Sequence, residues 1–378
     1  MFAMRQCRVW TLFVCMTLGG CWPAWGQDPS SIETDLTSLK VPPRTVTDVL
    51  RAVDSAKADP AEMAQAKEFA MKPIPDATDV EHLHSFYRQR AIAYQRLGKM
   101  NLAIQDARLI TEKYKSSDKR VQLESLLELG VYEQRGGNLK NAIKAYEEAR
   151  NNIPNNLAGF YMSANRHLVG AYAQAGNFEA SEAALRDAES TLVILRRSPS
   201  YSTIGVFWEA NLDAARAINF SYQGRWVEAE RAYRLCIRKM ERGLEDIYAE
   251  DANPKNPDPV KTKRNLKGAM QFKVTRQLEL ASAIMMQGRL VEAEIQVRDA
   301  LETTLKTHDK NSVEVGFALN RLARIIAEQG RSPESVLVAK EAIKTFQAGG
   351  ASDDSLPLIN GRKALGSALV SDRKYAEA

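Results

Sequence analysis

A short motif recurs seven times along this chain: an amphipathic segment, a turn centred on one residue, and a second segment that opens close to a small side chain. The turn residue is usually glycine, and the seven turn residues are Gly98, Gly137, Gly176, Gly224, Gly288, Gly330 and, without glycine, Arg373. Glycine is typical of the left-handed residue that ends a helix. A pair of helices repeated every 39 to 64 residues buries its apolar face only by stacking on its neighbours. The sequence therefore predicts an all-α solenoid of antiparallel helix pairs.

Small residues recur at fixed distances on both sides of the turn. Two helices approach to about 8–10 Å only where the facing side chains are small. The residues seven before the turn are Ala91, Gly130, Val169, Ala217, Ala281, Ala323 and Gly366, and those five after it are Ala103, Ala142, Ser181, Ala229, Ala293, Ser335 and Ala378. An ordinary helical bundle with coincidental alanines is the alternative, but the agreement of seven units at several offsets argues against it.

The second unit carries the pattern most fully, in Leu126, Leu129, Gly130, Gly137, Ala142, Tyr146, Ala149 and Pro154. This pattern resembles the tetratricopeptide repeat (TPR), and the later units resemble the variety found in kinesin light chains and many bacterial proteins. The resemblance implies a right-handed superhelical solenoid of about seven repeats over residues 76–378, the last one incomplete. It also implies that the first helices of successive pairs line a concave groove that binds a peptide or protein segment.

The first 26 residues have the features of a signal peptide. Arg5 and Arg8 precede an apolar run from Val9 to Leu18, which is too short to span a bilayer. Cleavage before Gln27 and cleavage before Cys21 both remain open, and the second site resembles a bacterial lipobox, in which Cys21 would carry a lipid anchor. An uncleaved cytoplasmic leader is the third alternative. We expect an exported, periplasmic protein that meets the membrane only through that anchor.

Two further segments precede the repeats. Residues 27–44 are polar, contain Pro42-Pro43, and predict a flexible tether. Residues 45–75 predict a degenerate helical cap, with helices over 45–57 and 60–72.

The longest interval between turns contains a proline-rich segment. Asp251 to Pro259 includes three prolines and predicts a non-helical excursion between two long helices. Lys261, Lys263, Arg264 and Lys267 follow it. This basic segment could contact a protein partner or a phosphate group. The alternative is a solvated loop, because short charge runs are usually solvated.

No catalytic motif is present in the chain. A glycine-rich nucleotide loop, a Gly-x-Ser-x-Gly elbow and a His-Glu-x-x-His pair are all missing from the sequence. The four histidines are not spaced as metal ligands, and Cys236 lies on a small-residue helix face that predicts a buried, inert thiol. The formal net charge is only +5, which gives little reason to expect nucleic-acid binding. We therefore expect no enzyme activity within these residues, no cofactor and no metal.

The resemblance places several polar residues on the groove. They are Arg88, Gln95, Gln134, Arg166, Asn211, Asn320, Arg324 and Lys363. The arginines and the lysine are suited to a carboxylate or a peptide backbone. The alternative is that these are ordinary solvated residues, because the two-lysine, two-asparagine clamp pattern is not found.

Two functions follow from these observations. The first is a non-catalytic protein–protein interaction scaffold in the bacterial envelope. The second is the regulatory or recognition arm of a larger enzyme, because arrays of this kind are often joined to a caspase-like CHAT peptidase domain. Tyr375 to Ala378 repeats the phrase that opens a second helix at Trp226 to Ala229, so we expect the native protein to continue beyond residue 378.

Overall fold

The computed structural model describes residues 45–56, 60–76, 79–154, 156–253, 258–351, 353 and 355–378. The predicted signal peptide (1–26) and tether (27–44) lie outside the described residues. Within that part of the chain the structure consists of α-helices without strands. The helices are α1 (Thr47–Ser55), α2 (Pro60–Met71), α3 (Val80–Arg96), α4 (Met100–Glu112), α5 (Lys119–Arg135), α6 (Leu139–Asn151), α7 (Ala158–Gln174), α8 (Phe178–Leu195), α9 (Tyr201–Tyr222), α10 (Trp226–Asp251), α11 (Pro259–Met285), α12 (Leu290–Thr307), α13 (Val313–Glu328), α14 (Ser332–Ala348) and α15 (Leu356–Ser371).

The predicted solenoid of helix pairs is confirmed. Six pairs, from α3/α4 to α13/α14, follow one another and are succeeded by α15. Each pair turns at the predicted glycine, and all six glycines have positive φ, from 69° to 86°. The last predicted turn residue, Arg373, is the non-glycine residue with positive φ in the described chain, at 62°. The same backbone geometry therefore recurs even where glycine is replaced.

The hydrogen bonds of these turns explain why the geometry repeats. The N–H of the residue after the turn residue reaches back to the final helical turn, as from Lys99 to the Tyr94 carbonyl at 2.8 Å. Lys374 donates in the same way to the Leu369 carbonyl at 2.9 Å, after Arg373. This bond satisfies a carbonyl that has no partner inside the helix, and it requires a left-handed residue between donor and acceptor.

Small residues allow the paired helices to pack closely. A Cβ added at Gly130 would overlap the ring of Tyr146, which is fully buried on the second helix of the same pair. Ala142 and Ala149 of that helix are also fully buried in this cluster. The glycine therefore provides the space that the large aromatic ring fills, as the alternation of small and large positions predicts.

The two longest helices account for the widest interval between turns. α10 has 26 residues and α11 has 27. Asp251 and Pro259, which the sequence placed in the non-helical excursion, are instead the last residue of α10 and the first of α11. Proline is well tolerated at a first helical position, where its missing N–H would have no partner. Residues 254–257 lie outside the described residues.

The helices of residues 45–75 are present, but each packs on a different part of the array. Val49 and Val53 of α1 join the core cluster that contains Leu319 and Leu322 of α13, and Asp48 lies 2.6 Å from the Arg298 guanidinium of α12. α2 instead packs on α3 through Ala66. The amphipathic character of α1 predicted a helix, whereas its docking site depends on an apolar surface formed by residues far along the chain. No helix in the described part of the chain combines the length and the apolar character needed to span a bilayer.

Candidate functional site

The first helices of the six pairs, together with α10, line a large cavity, here named the main groove. It has a volume of about 960 Å³, and its walls come from α3, α5, α7, α9, α10, α11 and α13. A second cavity of about 560 Å³, the side groove, lies between α11, α13 and α15. Gln271, Thr275, Glu279 and Arg321 line both cavities, so the two grooves adjoin.

Six of the eight predicted groove residues line these cavities. Gln95, Gln134 and Arg166 lie in the main groove. Asn320, Arg324 and Lys363 lie in the side groove, where the Asn320 side-chain oxygen is buried without a hydrogen-bond partner. Their role in binding stays a prediction.

The other two predicted residues are engaged within the protein. The Arg88 guanidinium lies 2.6 Å from Glu128 Oε1 and 3.1 Å from Glu124 Oε2, and these partners raise the pKa of Arg88. The Asn211 side-chain amide donates to the Phe207 carbonyl at 2.7 Å. Neither residue is among those that line the two grooves. Both polar groups are therefore already satisfied from inside the array.

Arg166 is the predicted residue with the most unusual environment. Burial lowers the pKa of Arg166 to about 10, and the positive charge of Arg276 lowers it further. Within the described residues it makes no ion pair, and its guanidinium donates instead to Nε2 of His167 at 2.6 Å. A group with this pKa stays charged at neutral pH, so Arg166 is a poorly solvated cation that faces the groove.

Arg276 and Arg321 were not predicted, and they line the same cavity. Arg276 is only 8% exposed and stacks over the Phe272 ring at 5.0 Å. Burial also lowers the pKa of Arg321 to about 10, with a contribution from the neighbouring Arg324. Arg321 makes no ion pair with any described residue. The main groove therefore holds three buried or half-buried guanidinium groups.

Glu279 is the carboxylate nearest to these cations. Its Oε2 lies 3.0 Å from Arg276 Nη1, but neither atom has a partner in hydrogen-bond geometry. Glu128 also lines the groove, but it is bound to Arg88. Of the two described carboxylates that line the main groove, one is therefore paired with Arg276 and the other with Arg88.

His167 anchors this cluster to the core. Its ring stacks on Tyr146, with centroids 4.8 Å apart and planes 16° apart. Because arginine can only donate, Nε2 of His167 accepts from Arg166 and the imidazole is neutral. Burial, followed by the charges of Arg166 and Arg276, holds the pKa of His167 well below its usual value. The histidine is thus a fixed acceptor that orients the arginine.

Comparison with known structures identifies the architecture. No protein-family profile and no curated protein sequence matches the chain. A Rap protein, solved in complex with Competence and Sporulation Factor, is similar at 12% identity and a TM-score of 0.50, over 87% of this chain and 84% of that one. The fold is the TPR solenoid.

Two other solved structures with this kind of fold are similar to the chain. A tetratricopeptide repeat protein from Parabacteroides merdae matches at 13% identity and a TM-score of 0.45, over 86% of this chain and 94% of that one. BtubC (BKLC) from P. vanneervenii matches at 15% identity and a TM-score of 0.38, over 69% of this chain and 92% of that one.

The TPR register explains which groove residues the sequence reasoning missed. Except for Asn211, which lies thirteen residues before Gly224, the predicted residues lie ten, six or three residues before the turn residue, but the position nine before it also lines the grooves. That position is occupied by Glu128, His167, Glu279 and Arg321. The readable signal was an acidic, imidazole or basic side chain at this position in four of the seven units. Arg276 lies further from the turn and reaches the groove because α11 is unusually long.

The described residues include side chains of the kinds that ligate metals and one thiol, that of Cys236. No group of three or more His, Cys, Asp or Glu side chains among them could hold a metal ion. Cys236 is fully buried, as its helix face predicts, and burial raises the pKa of its thiol to about 12. The thiol therefore stays protonated at neutral pH and is not suited to nucleophilic attack.

Proposed function

We propose that this chain is a non-catalytic interaction scaffold that holds a segment of another protein in the main groove. The observation that carries the proposal is the main groove itself. A cavity of about 960 Å³ is lined by residues of all six helix pairs, which gives an extended or helical segment contacts with successive pairs. The groove wall combines hydrogen-bond donors, which can bind peptide carbonyls, with apolar side chains, which can pack on the side chains of the peptide.

A solved structure with the same fold supports this proposal. The Rap protein was solved in complex with Competence and Sporulation Factor. That complex shows that a solenoid of this architecture holds a partner, and we transfer only the general mode of binding to this chain.

We further propose that the protein acts in the bacterial envelope. The support is the predicted signal peptide of residues 1–26, with its basic start and apolar run. Fractionation of cells that express the full chain, with mass spectrometry of the mature N-terminus, tests this location. A mature chain that begins at Gln27 indicates release into the periplasm, one that begins with lipidated Cys21 indicates anchoring, and an intact leader in the cytoplasm contradicts export.

Photo-crosslinking in cells tests the groove. A photoreactive amino acid is placed at Gln95 in the main groove and, separately, at Arg324 in the side groove. Arg186 provides the matched control, because it is exposed on the second helix α8 and does not line either groove. We expect a discrete crosslinked protein from the groove positions and not from the control. Crosslinks from Arg186 alone, or from none of the three positions, contradict the proposal.

A further inference from the structure

The charge of the main groove is unbalanced where its walls are most buried. Arg166, Arg276 and Arg321 reach the cavity from three different helices, α7, α11 and α13. Glu279 is the one carboxylate of the cavity wall that is not bound to Arg88. A cation that has lost part of its water and is not fully neutralised gains strongly from an incoming anion, because the interaction is weakly screened there.

Unsatisfied donors point to the position of that anion. Arg276 Nε is buried without a hydrogen-bond partner, although the residue lines the cavity, and Arg276 Nη1 has only the ion-pair contact of 3.0 Å with Glu279 Oε2, outside hydrogen-bond geometry. Buried donors are almost always satisfied in folded proteins, so this guanidinium calls for a further acceptor. A guanidinium offers parallel donors that match the two oxygens of a carboxylate.

We propose that the main groove selects an acidic peptide segment whose carboxylates accept hydrogen bonds from Arg166, Arg276 and Arg321. This inference rests on the proposed function and adds the chemical class of the partner. The carboxylate comes either from an Asp or Glu side chain or from the C-terminus of the segment.

The wall of the groove favours a peptide over a nucleic acid. Glu128 and Glu279 face the same cavity and would repel a continuous row of phosphates. Val131, Ile218 and Phe272 add apolar surface to the wall, which suits side chains between separated acidic residues. A segment with spaced carboxylates can pair with the arginines and avoid the two glutamates.

A binding measurement with defined probes tests the proposal. The probes are fluorescent pools of decapeptides with glutamate at alternate positions and random residues between them, and a matched pool with glutamine at those positions. Each pool is prepared with a free and with an amidated C-terminus, and a decathymidine oligonucleotide serves as a competitor. Fluorescence anisotropy reports binding to the full mature chain.

Two double variants of the protein accompany the probes. Arg166→Gln with Arg321→Gln removes two groove charges, whereas Arg186→Gln with Arg242→Gln removes two exposed charges from α8 and α10 outside the grooves. Arg276 is left intact because its ring contact with Phe272 supports the fold. Circular dichroism and thermal melting confirm that both variants are folded.

We expect the glutamate pool to bind and the glutamine pool to bind at least about tenfold more weakly, since a charge-assisted hydrogen bond changes affinity by this order. The groove variant should lose about tenfold of the affinity for glutamate peptides, and the control variant should keep it. Loss of binding on amidation assigns the carboxylate to the C-terminus, and its retention assigns it to side chains.

Three results would overturn the proposal: equal binding of the two pools, binding of neither pool, or competition by the oligonucleotide as strong as that by the glutamate peptides. A folded groove variant that binds like the wild type would overturn it as well. None of these results bears on crosslinking from Gln95, so the failure of this inference is distinguishable from failure of the groove as a binding site.

Discussion

Gly98, the turn residue of the first helix pair, lies against Ala351, which follows the last complete pair. A Cβ added at Gly98 would stand 3.0 Å from the Ala351 Cα, and a Cβ added at Gly350 would stand 3.1 Å from the Leu97 carbonyl oxygen. The first turn therefore rests on the end of α14. This contact joins parts of the array that are remote in sequence. A side chain at Gly98 or at Gly350 would force the neighbouring backbone to shift.

The contact predicts unequal effects of two similar substitutions. Gly98→Ala and Gly224→Ala both place alanine at positive φ, which costs roughly 1–2 kcal/mol. The space around Gly224 is open, so Gly224→Ala should show only this cost, whereas Gly98→Ala should lose about 1 kcal/mol more through the contact with Ala351. Thermal unfolding monitored by circular dichroism compares the two variants, and equal losses of stability would argue against the contact.

A second pair of glycines separates packing from helix propensity. Gly130 and Gly268 both lie within helices, but an added Cβ at Gly130 would overlap Tyr146, whereas one at Gly268 would meet nothing within 4 Å. We expect Gly268→Ala to raise the free energy of unfolding by about 0.5–1 kcal/mol through helix propensity. Gly130→Ala should lower it by about 1–3 kcal/mol through overpacking. Denaturant titration measures both values, and a stabilising Gly130→Ala would contradict the packing described for Tyr146.

Breaking the buried ion pair of the first helix pair should cause a large loss of stability. Arg90 Nε and Nη2 donate to the two carboxylate oxygens of Asp106 at 2.8 Å each, and Asp106 is only 3% exposed. Asp106→Asn leaves the guanidinium without its counter-charge and should lower the free energy of unfolding by about 3 kcal/mol. The control is Glu302→Gln, which breaks an exposed pair with Lys306 and should change stability by less than about 1 kcal/mol. Comparable losses in the two variants would contradict the prediction.

His167 predicts how stability depends on pH. Its pKa in the folded protein is well below its usual value, whereas in the unfolded chain it is about 6.5. Below about pH 6.5 the unfolded chain therefore binds a proton that the folded protein does not, so this contribution to stability is complete above that pH and is lost as the pH falls. Melting temperatures at pH 7.5, 6 and 5 should fall less for His167→Gln than for the wild type.

The exposed His82 provides the matched control for this experiment. His82→Gln removes an exposed side chain that lines neither groove, and it should keep the pH dependence of the wild type. If His167→Gln and His82→Gln behave alike, the stacked histidine is not the titrating group.

Much of the solenoid is readable from the sequence because its determinants are local. A turn residue, its left-handed backbone and the small residue seven positions before it all lie within one repeat, and the same physical requirement returns in each repeat. This is why Gly130 could be assigned a packing role, and why Arg373 could be recognised as a turn residue that lacks glycine. For the same reason the predicted groove positions Gln95, Gln134 and Arg166 do line the main groove.

Only the tertiary structure decided the electrostatics of the groove and the closure of the array. The sequence presents Arg88 and Arg166 as equivalent cations, but Arg88 is neutralised by Glu124 and Glu128 of the next pair, whereas Arg166 makes no ion pair with any described residue and donates to His167. The docking of α1 beside α12 and α13 likewise depends on a surface formed by distant residues. Helix and turn formation depend on a few neighbouring residues, whereas desolvation and charge pairing depend on every helix that faces the same space.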